Sequence, residues 1–493
     1  MNFSRNSRRE FLRSLGCIAC GGTAAALLPQ LRMMSTALAS TSISSTYQAL
    51  VCVYLYGGND AWNMLVPFDS ARYNTYTASR SGVYDPVNNP GGLGLALPTG
   101  SQVTLQKIVD GNDSNSATNQ YFLHPSMPEM TSLFNQGHLA FVVNAGSLVK
   151  PITMSDYNSS SANYPSQLFS HADQTNQWQQ AYAAEASTLG WGGQCGDALN
   201  SGNSYQTLSP CISVAGANRF EVGVSTIPYQ IGSGGLTNLA GVCNPTPCSG
   251  VSSTSVRDNA LNTLLAETYA NDFAGNYSST FQLGRELFNV LSPGLAGITL
   301  NTAFPAGNSL GAQLQIVAKM IKLSMAQNYA TRQIYFVNLG SFDLHAGMMT
   351  GNNDHAALLT TLSQALNAFW NCMGPSDVNA QNNVTLFTMS EFARTLQSNG
   401  SGSDHGWGTV QMALGGAVQG GKLYSNGGGP ITGFPNQALN APNNFPRGQM
   451  IPGIGVEQYA ATLAQWMGIT SPTDLATIFP NLGQFGTNNL GFV

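Results

Sequence analysis

Four uninterrupted apolar runs constrain this chain most: Ala49 to Tyr56 (ALVCVYLY), Leu139 to Asn144 (LAFVVN), Ile334 to Leu339 (IYFVNL) and Val384 to Met389 (VTLFTM). A strand that shows one face to water alternates apolar and polar residues, whereas these do not alternate at all. Such runs belong to strands covered on both faces, as in a parallel sheet flanked by helices. Segments of helical periodicity fall between and after them: the stretch after Ser170 through Ala184, Val256 to Leu291, Leu314 to Ala326, His355 to Trp370 and Val456 to Met467. The alternation predicts a three-layer α/β/α sandwich with a mostly parallel central sheet. Tyr73 to Asn119 reads as irregular surface structure. Residues 195–255, rich in Gly, Ser, Thr, Pro and Cys, read as a loop-rich cap or insertion.

The segments just after these strands are chemically unusual. Only 8% of the residues are charged, yet Asp343-Leu344-His345, Ser390-Glu391-Phe392-Ala393-Arg394 and Asp404-His405-Gly406 cluster within residues 343–406. The first two groups come directly after apolar runs, at strand carboxyl ends, where open α/β sheets bind ligands. Carboxylates and imidazoles gathered at such an edge are ligands for a divalent cation. Asp343 and His345, two apart, point to one side of an extended chain. Asp60 comes after the first run, behind Gly57-Gly58-Asn59, and reads either as a further ligand or as an Asx turn closing the strand.

Ser170-His171-Ala172-Asp173 reads two ways. It is a helix cap with Asp at the fourth place, or Ser170 is a nucleophile at a helix N-terminus that favours negative charge. His171 could be a metal ligand, a donor to an anion or a helix-surface residue. Arg394 could grip a phosphate or sulfate, or pair with Glu391. His124, His138 and His355 read as structural.

The first 39 residues are set apart as a targeting segment. Ser7-Arg8-Arg9-Glu10-Phe11-Leu12, the apolar run Gly16 to Leu28 and Ala37-Leu38-Ala39 form a twin-arginine signal with a small-x-small cleavage site. The expected location is therefore periplasmic or secreted, reached by export of the folded protein. No later run is long enough to cross a bilayer. The net charge of −5, with no basic cluster after the signal, disfavours nucleic acid as a partner. In an oxidising compartment some of the six remaining cysteines should pair. Cys243 with Cys248 is the best placed pair and Cys195 with Cys211 the next, while Cys52 reads as a buried thiol.

The ordered segments Gly57-Gly58-Asn59-Asp60, Leu123-His124-Pro125, Ser170-His171-Ala172-Asp173, Gly190-Trp191-Gly192-Gly193, Phe342-Asp343-Leu344-His345, Ser390-Glu391-Phe392-Ala393-Arg394-Thr395 and Asp404-His405-Gly406 resemble the twin-arginine-exported family catalogued as domain of unknown function 1501. The resemblance runs over nearly the whole mature chain. It implies a single alkaline phosphatase-like domain over residues 40–493, related to alkaline phosphatases and sulfatases. In those proteins two metals activate a nucleophile for phosphoryl or sulfuryl transfer.

Carried onto this chain, the resemblance implies Asp60, Asp343, His345, Glu391, Asp404 and His405 as metal ligands and Ser170, His171 and Arg394 as catalytic groups. The cofactor would be one or two divalent cations, Zn or Mn if the imidazoles ligate, with Ca or Mg suiting mainly the carboxylates. The partner would be a small anionic ester or a polysaccharide. Glu391 departs from the resemblance, because phosphatases and sulfatases carry an Asp-His or Asp-Asn pair at that place. Two further readings stay open. One is a non-catalytic, metal-stabilised binding or assembly protein with a co-exported partner; the other is sugar binding by Tyr54, Tyr56, Trp62 and Tyr73.

Overall fold

The computed structural model describes residues 46–101, 103–104, 121–243, 252–350, 354–425 and 434–493. The expected signal, residues 1–39, lies outside them. Among the described residues nine strands form the main sheet: β1 Gln48–Leu55, β2 Leu139–Gly146, β3 Cys211–Ser213, β4 Tyr229–Gln230, β5 Arg332–Leu339, β6 Val384–Met389, β7 Thr409–Leu414, β8 Leu423–Tyr424 and β9 Ile454–Gly455. Their order is β8-β2-β7-β6-β1-β5-β3-β4, with β9 also on β2. All pairings are parallel except those of β7, which runs antiparallel to β2 and β6.

Alternate residues of the apolar runs enter two separate cores, which is why the runs show no polar alternation. Val51, Val53 and Leu55 of β1 and Tyr335 and Val337 of β5 pack with α-helices Ser309–Gln327 and His355–Cys372. Leu50, Cys52 and Tyr54, with Ile334 and Phe336, face the other way. There they meet Trp178, Trp191 and Tyr459 of the helices His171–Gln180, Trp191–Leu199 and Val456–Trp466. Each fully buried aliphatic side chain contributes about 1.5–3 kcal/mol, so both layers are strongly held.

The structure corrects several expectations. Residues 195–255 supply more than loops, since β3 and β4 extend the central sheet. The Val256–Leu291 stretch is two helices, Ser253–Ala266 and Asp272–Gly297. Cys195 and Cys211 are buried free thiols, as is Cys52; the first two sit inside the apolar layer without being joined. Cys243 is disulfide-bonded, and Cys248, the partner expected for it, lies outside the described residues. Tyr54 and Trp62 are wholly buried, so they present no face to a sugar. Among the described residues no helix is long and apolar enough to cross a membrane.

Candidate metal centre

Register places the polar motifs together. Leu55 of β1 pairs with Leu339 of β5, and Tyr54 with Met389 of β6, so Gly57–Asp60, Phe342–His345 and Ser390–Arg394 leave the sheet at one edge. Because β7 is antiparallel, Asp404-His405, which precede it, arrive at that same edge. A bridge between Arg394 and His405 joins the two loops. Gly57 has φ +113°, and a Cβ there would lie 2.3 Å from the backbone nitrogen of Asp343. Only glycine lets β1 turn this close to the Asp343 loop.

At the centre, one ligand atom each from His171, Asp343 and His405 lie within 4.8 Å of one another. His405 Nε2 is 3.3 Å from Asp343 Oδ1, and His171 Nε2 is 3.4 Å from Asp343 Oδ2. His345 joins the edge of this group: its Nε2 is 3.1 Å from Asp343 Oδ1 and 2.9 Å from His405 Nε2.

The far nitrogen of every ring is already engaged. His405 Nδ1 is 2.6 Å from the carbonyl oxygen of Phe169, which can only accept, so Nδ1 carries the proton. His345 Nδ1 is 2.9 Å from Asp404 Oδ1, and His171 Nδ1 is 2.8 Å from Glu391 Oε1. Each ring thus donates from Nδ1 and turns Nε2 toward Asp343. An acceptor behind each ring is the outer arrangement that metal-bound histidines use. His171 Nε2 is buried and makes no hydrogen bond. The donor set of His171, Asp343 and His405 and this orphaned nitrogen fit a divalent transition metal, and two imidazole nitrogens with one carboxylate oxygen suit zinc better than magnesium or calcium.

Electrostatics support the same arrangement. The hydrogen bond to Glu391 raises the pKa of His171 above the usual imidazole value, against partial burial. Burial lowers that of His405, opposed by the Phe169 carbonyl. Partial burial works to raise the pKa of Asp343, but the hydrogen bond and charge of Arg394 leave it below the usual carboxylate value. Burial acts likewise on Asp404, yet bonds from Asn399, Arg447 and His345 bring it down to about 2.

Several expected residues are placed elsewhere. Asp60 stands apart from the group, in a wholly buried ion pair with Arg80. Glu391 sits behind His171 and also accepts from the Gly57 amide at 2.7 Å. Asp404 sits behind His345 and pairs with Arg447. Ser170 caps the helix His171–Gln180: its hydroxyl donates to Asp173 Oδ2 and accepts from the Asp173 amide. Arg394 does not pair with Glu391, because no helix begins there. Its Nη1 donates to Asp343 at 2.7 Å and to the Gly57 carbonyl at 3.1 Å, while Nη2 donates to the Ser403 carbonyl. His355 opens its helix and bonds Asn59 at 2.9 Å.

Sequence reasoning missed Arg80, Arg447 and Phe169. Arg80 and Arg447 lie outside the clustered motifs. Phe169 acts through a backbone carbonyl that φ +69° aims at His405, a conformation for which a phenylalanine gives no signal.

The family described as Protein of unknown function (DUF1501) matches residues 307–429. That stretch carries the Asp343, Glu391 and His405 loops. It is narrower than the near-complete span expected from the seven motifs. No curated protein matches the chain. Among solved structures, the lipoteichoic acid synthase LtaP from Listeria monocytogenes is similar at 8% identity and a TM-score of 0.29, over 86% of this chain and 81% of that one. Ps i-CgsB in complex with k-i-k-neocarrahexaose is similar at 10% identity and a TM-score of 0.32, over 90% of this chain and 77% of that one. Overlaps this loose say nothing about what the present chain does.

Proposed function

We propose that the protein is exported by the twin-arginine route to the periplasm or beyond and acts there as a metal-dependent hydrolase of phosphate or sulfate esters on an alkaline phosphatase-like fold. The observation that carries this reading is the convergence of His171, Asp343 and His405, with the histidine Nδ1 atoms occupied from behind. These three hold the cation, zinc before manganese. When bound, such a cation supplies Lewis acidity and neutralises charge on an ester's oxygens.

The chain's own groups do the rest. Glu391 and the Phe169 carbonyl fix the ligand rings, and Arg394 fixes Asp343. The Ser170 hydroxyl is spent on the helix cap, so water is the attacking group. His345, with 43% of its side chain exposed, stands at the open side of the group, and Asp404 holds its Nδ1 proton in place. Its Nε2 is positioned to take a proton from that water, and Asp404 then stabilises the imidazolium, the division of labour that a His–Asp pair performs in hydrolases.

A second reading has its own support. His345 Nε2 lies as close to Asp343 as the other rings do, so it can serve as a fourth donor. A site closed by four protein ligands is structural rather than catalytic, and the protein would then be a metal-stabilised binding or assembly component with a co-exported partner. His345→Ala separates the two. Under the hydrolase reading the variant keeps its metal and loses most turnover of 4-nitrophenyl phosphate or sulfate. Loss of metal, with no turnover in either protein, favours the structural reading.

A further inference from the structure

Among the described residues three arginines lie near the candidate centre, and two of them are closed off from solvent. Arg80 and Arg394 are wholly buried. Arg80 is taken up by Asp60 and the Thr395 carbonyl, and Arg394 by Asp343 and two backbone carbonyls. Arg447 differs, because 41% of its side chain is exposed while one Nη1 contact to Asp404 anchors it behind His345.

Arg447 sits on a hairpin closed by the Asn444–Met450 bridge and turned by Gly448 at φ +77°. The hairpin is tied to the centre itself: Gln449 Nε2 donates to the His405 carbonyl at 2.7 Å, and the Gln397 amide donates to the Arg447 carbonyl at 3.1 Å. Two residues before Arg447, Phe445 packs edge-on against Tyr157 at 4.7 Å and against Phe169 at 6.2 Å. Tyr157 stacks with Tyr164 at 4.2 Å. These four rings pack against the small core of Leu148, Ile152, Trp407, Ile451 and Phe485 and keep part of their surface exposed, and Phe169 is the residue whose carbonyl orients His405.

We infer that the 444–450 hairpin selects the substrate: Arg447 meets the anionic group, and Phe445 with Tyr157 receives a six-membered ring in the alcohol half of the ester. The chemistry shared by possible ligands is a phosphate or sulfate monoester on a ring with a flat apolar face, either an aryl group or a sugar. The inference rests on the ester-hydrolase reading of the neighbouring centre. Arg447, with its guanidinium open to solvent, supplies charge-assisted hydrogen bonds to an anion, and aromatic faces recognise rings by stacking.

The test is calorimetric titration of the protein carrying its own metal with inorganic phosphate, inorganic sulfate, phenyl phosphate, phenyl sulfate and glucose 6-sulfate. The matching ring ester should bind about 10-fold more tightly than its free anion, as expected for one good ring contact. Arg447→Gln should weaken anion and ester together by about 10-fold to 100-fold, the range for one charge-assisted bond, with Arg447→Lys recovering part of the loss. Phe445→Ala should erase the advantage of the ring and leave the inorganic anion within about twofold, since no bond to the anion is lost. Whether phenyl or glucose esters gain more identifies the ring. Metal content equal to wild type in every variant assigns the losses to the ligand contacts. Unchanged affinity in Arg447→Gln, no ring advantage in wild type, or no binding of any probe overturns the inference. A metal-free wild-type protein overturns the metal reading of the centre, which the same preparations report independently of ligand affinity.

Discussion

His345 Nε2 and His405 Nε2 lie 2.9 Å apart, and both rings already donate from Nδ1, to Asp404 and to the Phe169 carbonyl. A proton shared between the two nitrogens, or a cation beside them, satisfies that approach. Asp343 Oδ1, 3.1 Å and 3.3 Å from the two nitrogens, adds a third electron-rich atom. Of these atoms His405 Nε2 and Asp343 belong with His171 to the candidate cation group, and His345 Nε2 stands beside it.

Glu391 is wholly buried and fixes the tautomer of His171. Glu391→Gln exchanges a strong acceptor for an amide and should weaken zinc affinity about 10-fold to 100-fold, the usual effect of changing the partner behind a metal-bound histidine. Competition with a chromogenic chelator measures it. Unchanged affinity would show that His171 does not ligate.

Asp60 should behave as a structural residue. Removing its carboxylate in Asp60→Ala strands the buried Arg80 charge, at a cost of about 3–5 kcal/mol. Urea denaturation should show the loss, while the folded fraction keeps its metal. A variant of normal stability that has lost its metal would return Asp60 to the ligand set.

Ser170→Ala removes a helix cap and should cost about 1 kcal/mol, read as a lower Tm. Turnover of any ester the protein hydrolyses should be unchanged. Abolished turnover at normal stability would restore Ser170 as the nucleophile.

The fold was legible because burial on both faces writes itself into composition: the four apolar runs are β1, β2, β5 and β6, with ends shifted by at most two residues and none for β6. The site was legible in part. Asp343, His345, His171 and His405 do converge; strand-end placement implied this for Asp343 and His345, whereas the role of His171 was left open. What sequence could not supply was which oxygen faces which ring. Glu391 and Asp60 are equally acidic, yet one stands behind a histidine and the other is consumed by Arg80, a residue 20 positions downstream. Likewise Ser170 reads the same on paper whether its hydroxyl turns to the helix or to a substrate, and in the structure it turns to Asp173.

Stability should depend on pH in a defined way. Burial raises Glu221 and Glu457 from 4.5 to about 8, so both are protonated in the fold while the unfolded chain ionises them; their contribution is lost as pH rises from 4.5 to 8. Burial lowers His124 and His355 from 6.5 to about 3, so their contribution is lost as pH falls from 6.5 to 3. The two trends oppose between 4.5 and 6.5, where stability should be flat, and it should fall on either side. Glu457→Gln should halve the decline between pH 6.5 and 8 in denaturant titrations. An unaltered slope would mean that Glu457 is ionised in the fold.

Metal content decides most directly whether the three-residue group is a cation site: elemental mass spectrometry of the mature protein after twin-arginine export, beside a His405→Ala variant. The wild type should carry about one equivalent of zinc or manganese, as a single three-residue ligand group requires, and the variant should lose it. A folded wild-type protein without metal, or a variant that keeps it, would contradict the assignment of His171, Asp343 and His405 as ligands.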